Sequence, residues 1–135
     1  MTFRCLFLCA TLAAWPLPAL ALTLECNVPR TNAGGGYITD VYVLRYDEGS
    51  GQAIVSDALI LSFNKQQPMA AGVAANTAVK LVLTWRVLLT NSVGQTARMS
   101  FRAAYFKSDG TLLVRASPGG DYSDMFEGRG TCRPV

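Results

Sequence analysis

Residues 79–90 read VKLVLTWRVLLT, and two kinds of side chain alternate along them. The odd positions are Val79, Leu81, Leu83, Trp85, Val87 and Leu89. The even positions are Lys80, Val82, Thr84, Arg86, Leu88 and Thr90. A period of two belongs to an extended strand, whose successive side chains point to opposite faces; a helix would group every third and fourth residue. The bulky odd face is expected to be buried, and the even face to meet water.

The same period continues on both sides. After the turn residues Asn91-Ser92-Val93-Gly94-Gln95, Met99, Phe101, Ala103 and Tyr105 alternate with Arg98, Ser100, Arg102 and Ala104. Ser108-Asp109-Gly110 then closes a hairpin onto residues 111–116. Earlier, residues 37–46 and 53–63 are β-branched and aromatic runs joined by Asp47-Glu48-Gly49-Ser50-Gly51, a second hairpin signal. Residues 22–28 place Leu22, Leu24, Cys26 and Val28 on one face. Residues 126–135, FEGRGTCRPV, place Phe126, Gly128, Gly130 and Cys132 on one face. The expectation is an all-β fold, a small antiparallel β-barrel or sandwich of about seven strands with turns at regular spacing. PMAAGVAAN, residues 68–76, reads as one short helical turn inside a long loop over 64–77, and PRTNAGGG, residues 29–36, as a flexible connector.

The first 21 residues have a different character. Arg4 lies in a short basic start, an apolar run follows to Leu20, and Ala19-Leu20-Ala21 has the small-x-small form of a signal-peptidase site. Pro16 and Pro18 interrupt the run. These features predict a cleaved signal peptide over 1–21 and a single domain over 22–135, exported to the periplasm or outside the cell. Residues 6–9 and 23–26 put Leu8 or Glu25 before a cysteine, where an acylation signal needs a small residue. No other stretch reads as a membrane span, because the most apolar, 78–89, carries Lys80 and Arg86.

Removing the leader lowers the formal net charge from +3 to +2 and leaves two cysteines, Cys26 and Cys132. In an oxidising compartment they are expected to form one disulfide between the first and last strands. Gly128 and Gly130 would then share a crowded inner face with that bridge and with a neighbour such as Trp85.

The chain has no histidine. Ser-His-Asp and Cys-His catalysis are excluded, as is the usual general base near neutral pH. The acids Asp47, Glu48, Asp57, Asp109, Asp121 and Asp124 fall where turns are expected. A hydrolase built on Asp121 and Asp124 remains the weakest of the readings. With two cysteines and no histidine a tetrahedral zinc site is not expected, and the spacing of Asp121, Asp124 and Glu127 is not that of a calcium loop. The sequence calls for no cofactor.

One pattern carries functional content. No acid occurs between Ala58 and Ser108, whereas Lys65, Lys80, Arg86, Arg98, Arg102 and Lys107 all do. Lys80, Arg86, Arg98 and Arg102 fall on the outward face of two paired strands, where a row of cations would form a positive patch. The expected function is non-enzymatic: a monomeric envelope binding or inhibitor module whose partner is an anionic envelope component or an acidic protein. The alternatives are a small-molecule or lipid carrier with an internal cavity, and a structural envelope protein. Nucleic acid is not an expected partner, since no aromatic residues interleave with the outward cations.

Overall fold

The structure is a computed structural model and describes residues 13–15, 21–119 and 124–135. The expected leader falls almost wholly outside the described residues, as does Asp121. Within them, eight antiparallel strands close into a barrel: β1 (Ala21–Asn27), β2 (Val41–Asp47), β3 (Gln52–Asp57), β4 (Met69–Asn76), β5 (Lys80–Thr90), β6 (Thr96–Phe106), β7 (Thr111–Pro118) and β8 (Phe126–Pro134). Each strand pairs with its neighbours in sequence, and β8 returns to β1. One helix, α1 (Ala58–Phe63), lies between β3 and β4.

The bulky alternation of residues 79–90 holds from Leu81 to Leu88 except at Val82, which is buried although on the outward parity, while Val79, expected inside, is 62% exposed. Leu81, Leu83, Trp85 and Val87 are buried, while Arg86 and Leu88 are exposed. They join Leu24, Tyr42, Leu44, Val55, Phe101, Leu112 and Val114 in one core filled from around the barrel. Trp85 stacks on Phe101 with ring centroids 5.5 Å apart and planes 3° from parallel, and Tyr42 packs against Trp85 in a tilted arrangement with centroids 6.3 Å apart. Apolar side chains inside and arginines outside reverse the pattern of an outer-membrane barrel. Among the described residues no helix is long and apolar enough to cross a membrane.

The eighth strand is β4, which sequence reading assigns to a loop. Its alternation is present: Met69, Ala71, Val73 and Ala75 are half-buried and Ala70, Gly72 and Ala74 exposed. It is faint because the side chains are small, so the inner and outer faces differ little in hydropathy. The strand is also loosely held. Only Ala53↔Ala71, Ile54↔Ala70 and Val55↔Met69 pair it with β3, and its register with β5 shifts between Val73 and Ala75.

Helix α1 corrects a second expectation, since residues 53–63 read as one strand. Asp57 ends β3 in an extended conformation (φ −153°), and its Oδ1 accepts the Ile60 N–H at 2.7 Å, which starts the helix. Six residues do not make a stable helix in water. This one is held by Ile60, which is fully buried and contributes about 1.5–3 kcal/mol through its burial. The following residues turn sharply, with Lys65 and Gln66 both at positive φ.

Strand direction puts the long connections at one end of the barrel and the tight turns at the other. The loop end carries residues 28–40 and α1, together with the short β5–β6 hairpin tip. Residues 28–40 form a cover rather than a free connector, and β2 starts at Val41 rather than Tyr37. Val28 N–H donates to the Asp40 carbonyl at 2.8 Å, and Val28 and Ile38 are buried across the barrel mouth.

The disulfide joins Cys26 and Cys132, which face each other across the β1–β8 ladder with Cα atoms 3.9 Å apart. The bridge spans 106 residues of sequence, which in the chain-entropy argument is worth up to about 4.7 kcal/mol. The neighbours of the two glycines are not the expected ones. A β-carbon on Gly128 would meet Ile38 and Val28 side chains, and one on Gly130 would meet the backbone of Asn27 and Val28. Glycine lets the cover loop cross over β8; Trp85 is not involved.

Candidate functional site

The outward residues of β5, β6 and β7 form a ladder whose register decides which cations meet. Ser100 of β6 stands opposite Arg86 of β5 and opposite Ser117 of β7. On β6, Ser100 is flanked two residues away by Arg98 and Arg102. Diagonal neighbours in an antiparallel ladder lie about 7–8 Å apart, so Arg86 is within reach of both. Arg102 in turn stands opposite Arg115 of β7, and Arg115 opposite Glu127 of β8.

Directly opposed like charges destabilise a sheet. The Arg102–Arg115 pair is tolerated because Arg115 Nε donates to Glu127 Oε1 at 2.8 Å. That bond also holds the Arg115 side chain in place while its η nitrogens keep their donors. Among the described residues, none of Arg86, Arg98 and Arg102 has an ion-pair partner; the pairs formed there are Arg115–Glu127, Arg30–Asp40 and Arg133–Glu25. The four arginines and Glu127 together leave three net positive charges on a surface a few strands wide.

A groove of about 610 Å³ lies over this ladder, lined by the half-buried Thr84, Ser100 and Ser117 and by the exposed Arg86, Arg102, Arg115 and Met125. Small hydroxyl residues surrounded by long cationic ones produce the depression. Arg98 is not among the residues that line it and instead borders a second groove toward the loop end, lined also by Tyr37, Leu88 and Pro118. Met125 and Leu88, both more than half exposed, add apolar surface beside the cations.

The remaining predicted cations are elsewhere. Lys80 pairs with Phe106 at the far end of β5, six residues and about 20 Å from Arg86. Lys107 donates to Asn76 Oδ1 at 2.7 Å, and Asn76 donates to the Tyr46 hydroxyl at 3.3 Å, which ties the tail of β4 to its surroundings. The structure thus brings Arg86, Arg98 and Arg102 together and leaves Lys80 out. Arg115, Ser100, Ser117 and Met125 join them through the β6–β7–β8 register, which the sequence does not display.

A polar cluster lies under α1. Thr39 Oγ1 donates to Asp57 Oδ2 at 2.8 Å, and the Thr39 N–H donates to the Tyr42 hydroxyl at 3.1 Å. Burial pushes the Tyr42 phenol up to about 12. Burial also raises Asp57 above the usual carboxylate range, against the hydrogen bonds from Ile60, Thr39 and Leu59. Asp57 is therefore not the turn acid its position suggests, and both its oxygens are occupied in holding α1 and the cover loop. Asp109 is held below the usual range by the Thr111 N–H that its Oδ1 accepts at 2.9 Å. In the core, the Trp85 Nε1 has no hydrogen-bond partner among the described residues. Among the described residues, no three Asp, Glu or Cys side chains are close enough together to hold a metal ion.

The chain matches no protein-family model, no curated protein and no solved structure.

Proposed function

We propose that this protein is an exported, non-enzymatic binding module that engages an anionic component of the cell envelope through the outer face of β5, β6 and β7. The observation that carries the reading is the clustering of Arg86, Arg98 and Arg102 beside a groove, without carboxylate partners among the described residues. Unneutralised guanidinium groups repel one another, and an anion relieves that repulsion while accepting forked hydrogen bonds. Export is supported by the leader-like first 21 residues and by a disulfide whose bonding requires an oxidising compartment. Binding rather than catalysis is supported by the lack of histidine, and by the use of Asp57, the one buried carboxylate among the described residues, for capping and cover.

A carrier holding its ligand inside the barrel has less support, because side chains from around the barrel fill one packed core. The test of the leading reading is capture from envelope extracts by the immobilised protein. Arg98→Glu with Arg102→Glu abolishes capture of anionic components while the barrel still folds; unchanged capture overturns the reading.

A further inference from the structure

Resting on the basic-face reading, we infer that the groove over Ser100 and Ser117 is a seat for a phosphate monoester. The chemistry of the donors selects the anion. Two half-buried serines, on adjacent strands and directly opposite each other, are part of the groove's lining. Arginines flank that pair in the strand register: Arg86 opposite Ser100 on β5, Arg98 and Arg102 two residues to either side of it on β6, and Arg115 two residues from Ser117 on β7.

A planar carboxylate presents two oxygens and is satisfied by one arginine fork. A phosphate monoester presents three terminal oxygens and carries about −1.5 to −2 charge near neutral pH, so it can accept from donors on several sides together. A diester offers two such oxygens and one charge, and leaves part of the ring unused. The Glu127 clamp on Arg115 fixes one donor in advance, which lowers the ordering cost of binding. Met125 and Leu88 at the rim suit a headgroup borne by an apolar body.

The experiment compares vesicles of phosphatidylcholine doped with phosphatidic acid, a monoester, against vesicles doped with phosphatidylglycerol, a diester, at matched surface charge. The full chain should bind the monoester vesicles at least about fivefold more tightly, the worth of one additional net hydrogen bond. Ser100→Ala with Ser117→Ala keeps every charge and should remove the preference while retaining binding to both vesicles. Inorganic phosphate that competes at constant ionic strength supports a free monoester as ligand; competition by monoester vesicles alone supports a lipid-borne one.

Equal binding to the two vesicles, abolished by Arg98→Glu with Arg102→Glu, overturns the monoester seat and leaves the basic-face reading intact. Binding that survives the double reversal overturns both. A preference that persists without the two hydroxyls overturns the seat as drawn. So does capture from extract that protease treatment abolishes, because it assigns the face to an acidic protein.

Discussion

A β-carbon on Gly130 would overlap the carbonyl oxygen of Asn27 and press on the backbone of Val28. The obstacle is main chain, so it cannot rotate away, and it belongs to the segment that carries the cover loop across the barrel mouth. Gly130→Ala should cost about 1–3 kcal/mol or more through overpacking. Arg129→Ala, one residue away on the exposed face, should stay within about 0.5 kcal/mol. Chemical denaturation of the two variants checks the contrast, and equal midpoints would refute the close crossing.

Reduction of the Cys26–Cys132 bridge should lower stability by several kcal/mol, up to about 4.7, because it reopens a loop spanning most of the chain. The β1–β8 ladder retains Leu24↔Pro134, Glu25↔Arg133 and Asn27↔Thr131, and the Arg133–Glu25 pair at 3.0 Å is exposed and contributes little. Cys26→Ser with Cys132→Ser should therefore fray this seam first. Hydrogen exchange should show β1 and β8 opening before β5 and β6; uniform exchange across the barrel would contradict this.

Asp57 gives a pH dependence of definite sign. Its carboxyl is raised in the folded chain, chiefly by burial, so the folded state holds that proton more tightly than the unfolded chain does. Its contribution is fully present below the unfolded value of 3.8 and is lost as pH rises through the raised folded value. Asp57→Asn removes this titration. The melting temperature of the native chain relative to Asp57→Asn should climb as pH falls from 7 toward 4. A difference that is flat or that shrinks on acidification would show that the buried carboxyl is not the titrating group.

Trp85 reports on the core. It is stacked on Phe101 and only 5% exposed, so its emission should be blue-shifted. In a Trp15→Phe chain it is the sole tryptophan. Titration with fatty acids and other apolar ligands should leave that emission unchanged; a saturable shift would favour an internal carrier site.

The parts of the fold that were legible in sequence are those where large and polar side chains alternate. Residues 79–90 and 96–106 declare their strands because an inward Leu, Trp or Phe contrasts with an outward Thr or Arg. Residues 69–76 hide theirs because Ala and Gly serve both faces. Asp57 misleads because acid before an apolar run fits a strand end as well as a helix cap, and only the tertiary seat for Ile60 decides between them. For the candidate site, parity along one strand exposes Arg86, Arg98 and Arg102. It cannot separate them from Lys80, which has the same parity but lies six residues away. Arg115, Ser100 and Ser117 enter through register between strands, a long-range quantity that no local pattern encodes.

Binding through the arginine face and binding through net charge alone differ in how they respond to charge reversal at chosen positions. The direct measurement is affinity for phosphatidic acid vesicles of three chains: the native one, Arg98→Glu with Arg102→Glu, and Arg45→Glu with Lys65→Glu. Both variants carry the same net charge, and Arg45 and Lys65 are exposed residues of β2 and of the connection before β4. The first pair of reversals should abolish binding, and the second should leave it within about twofold, as screened charges distant from the site do. Equal loss in both variants would contradict binding through the arginine face.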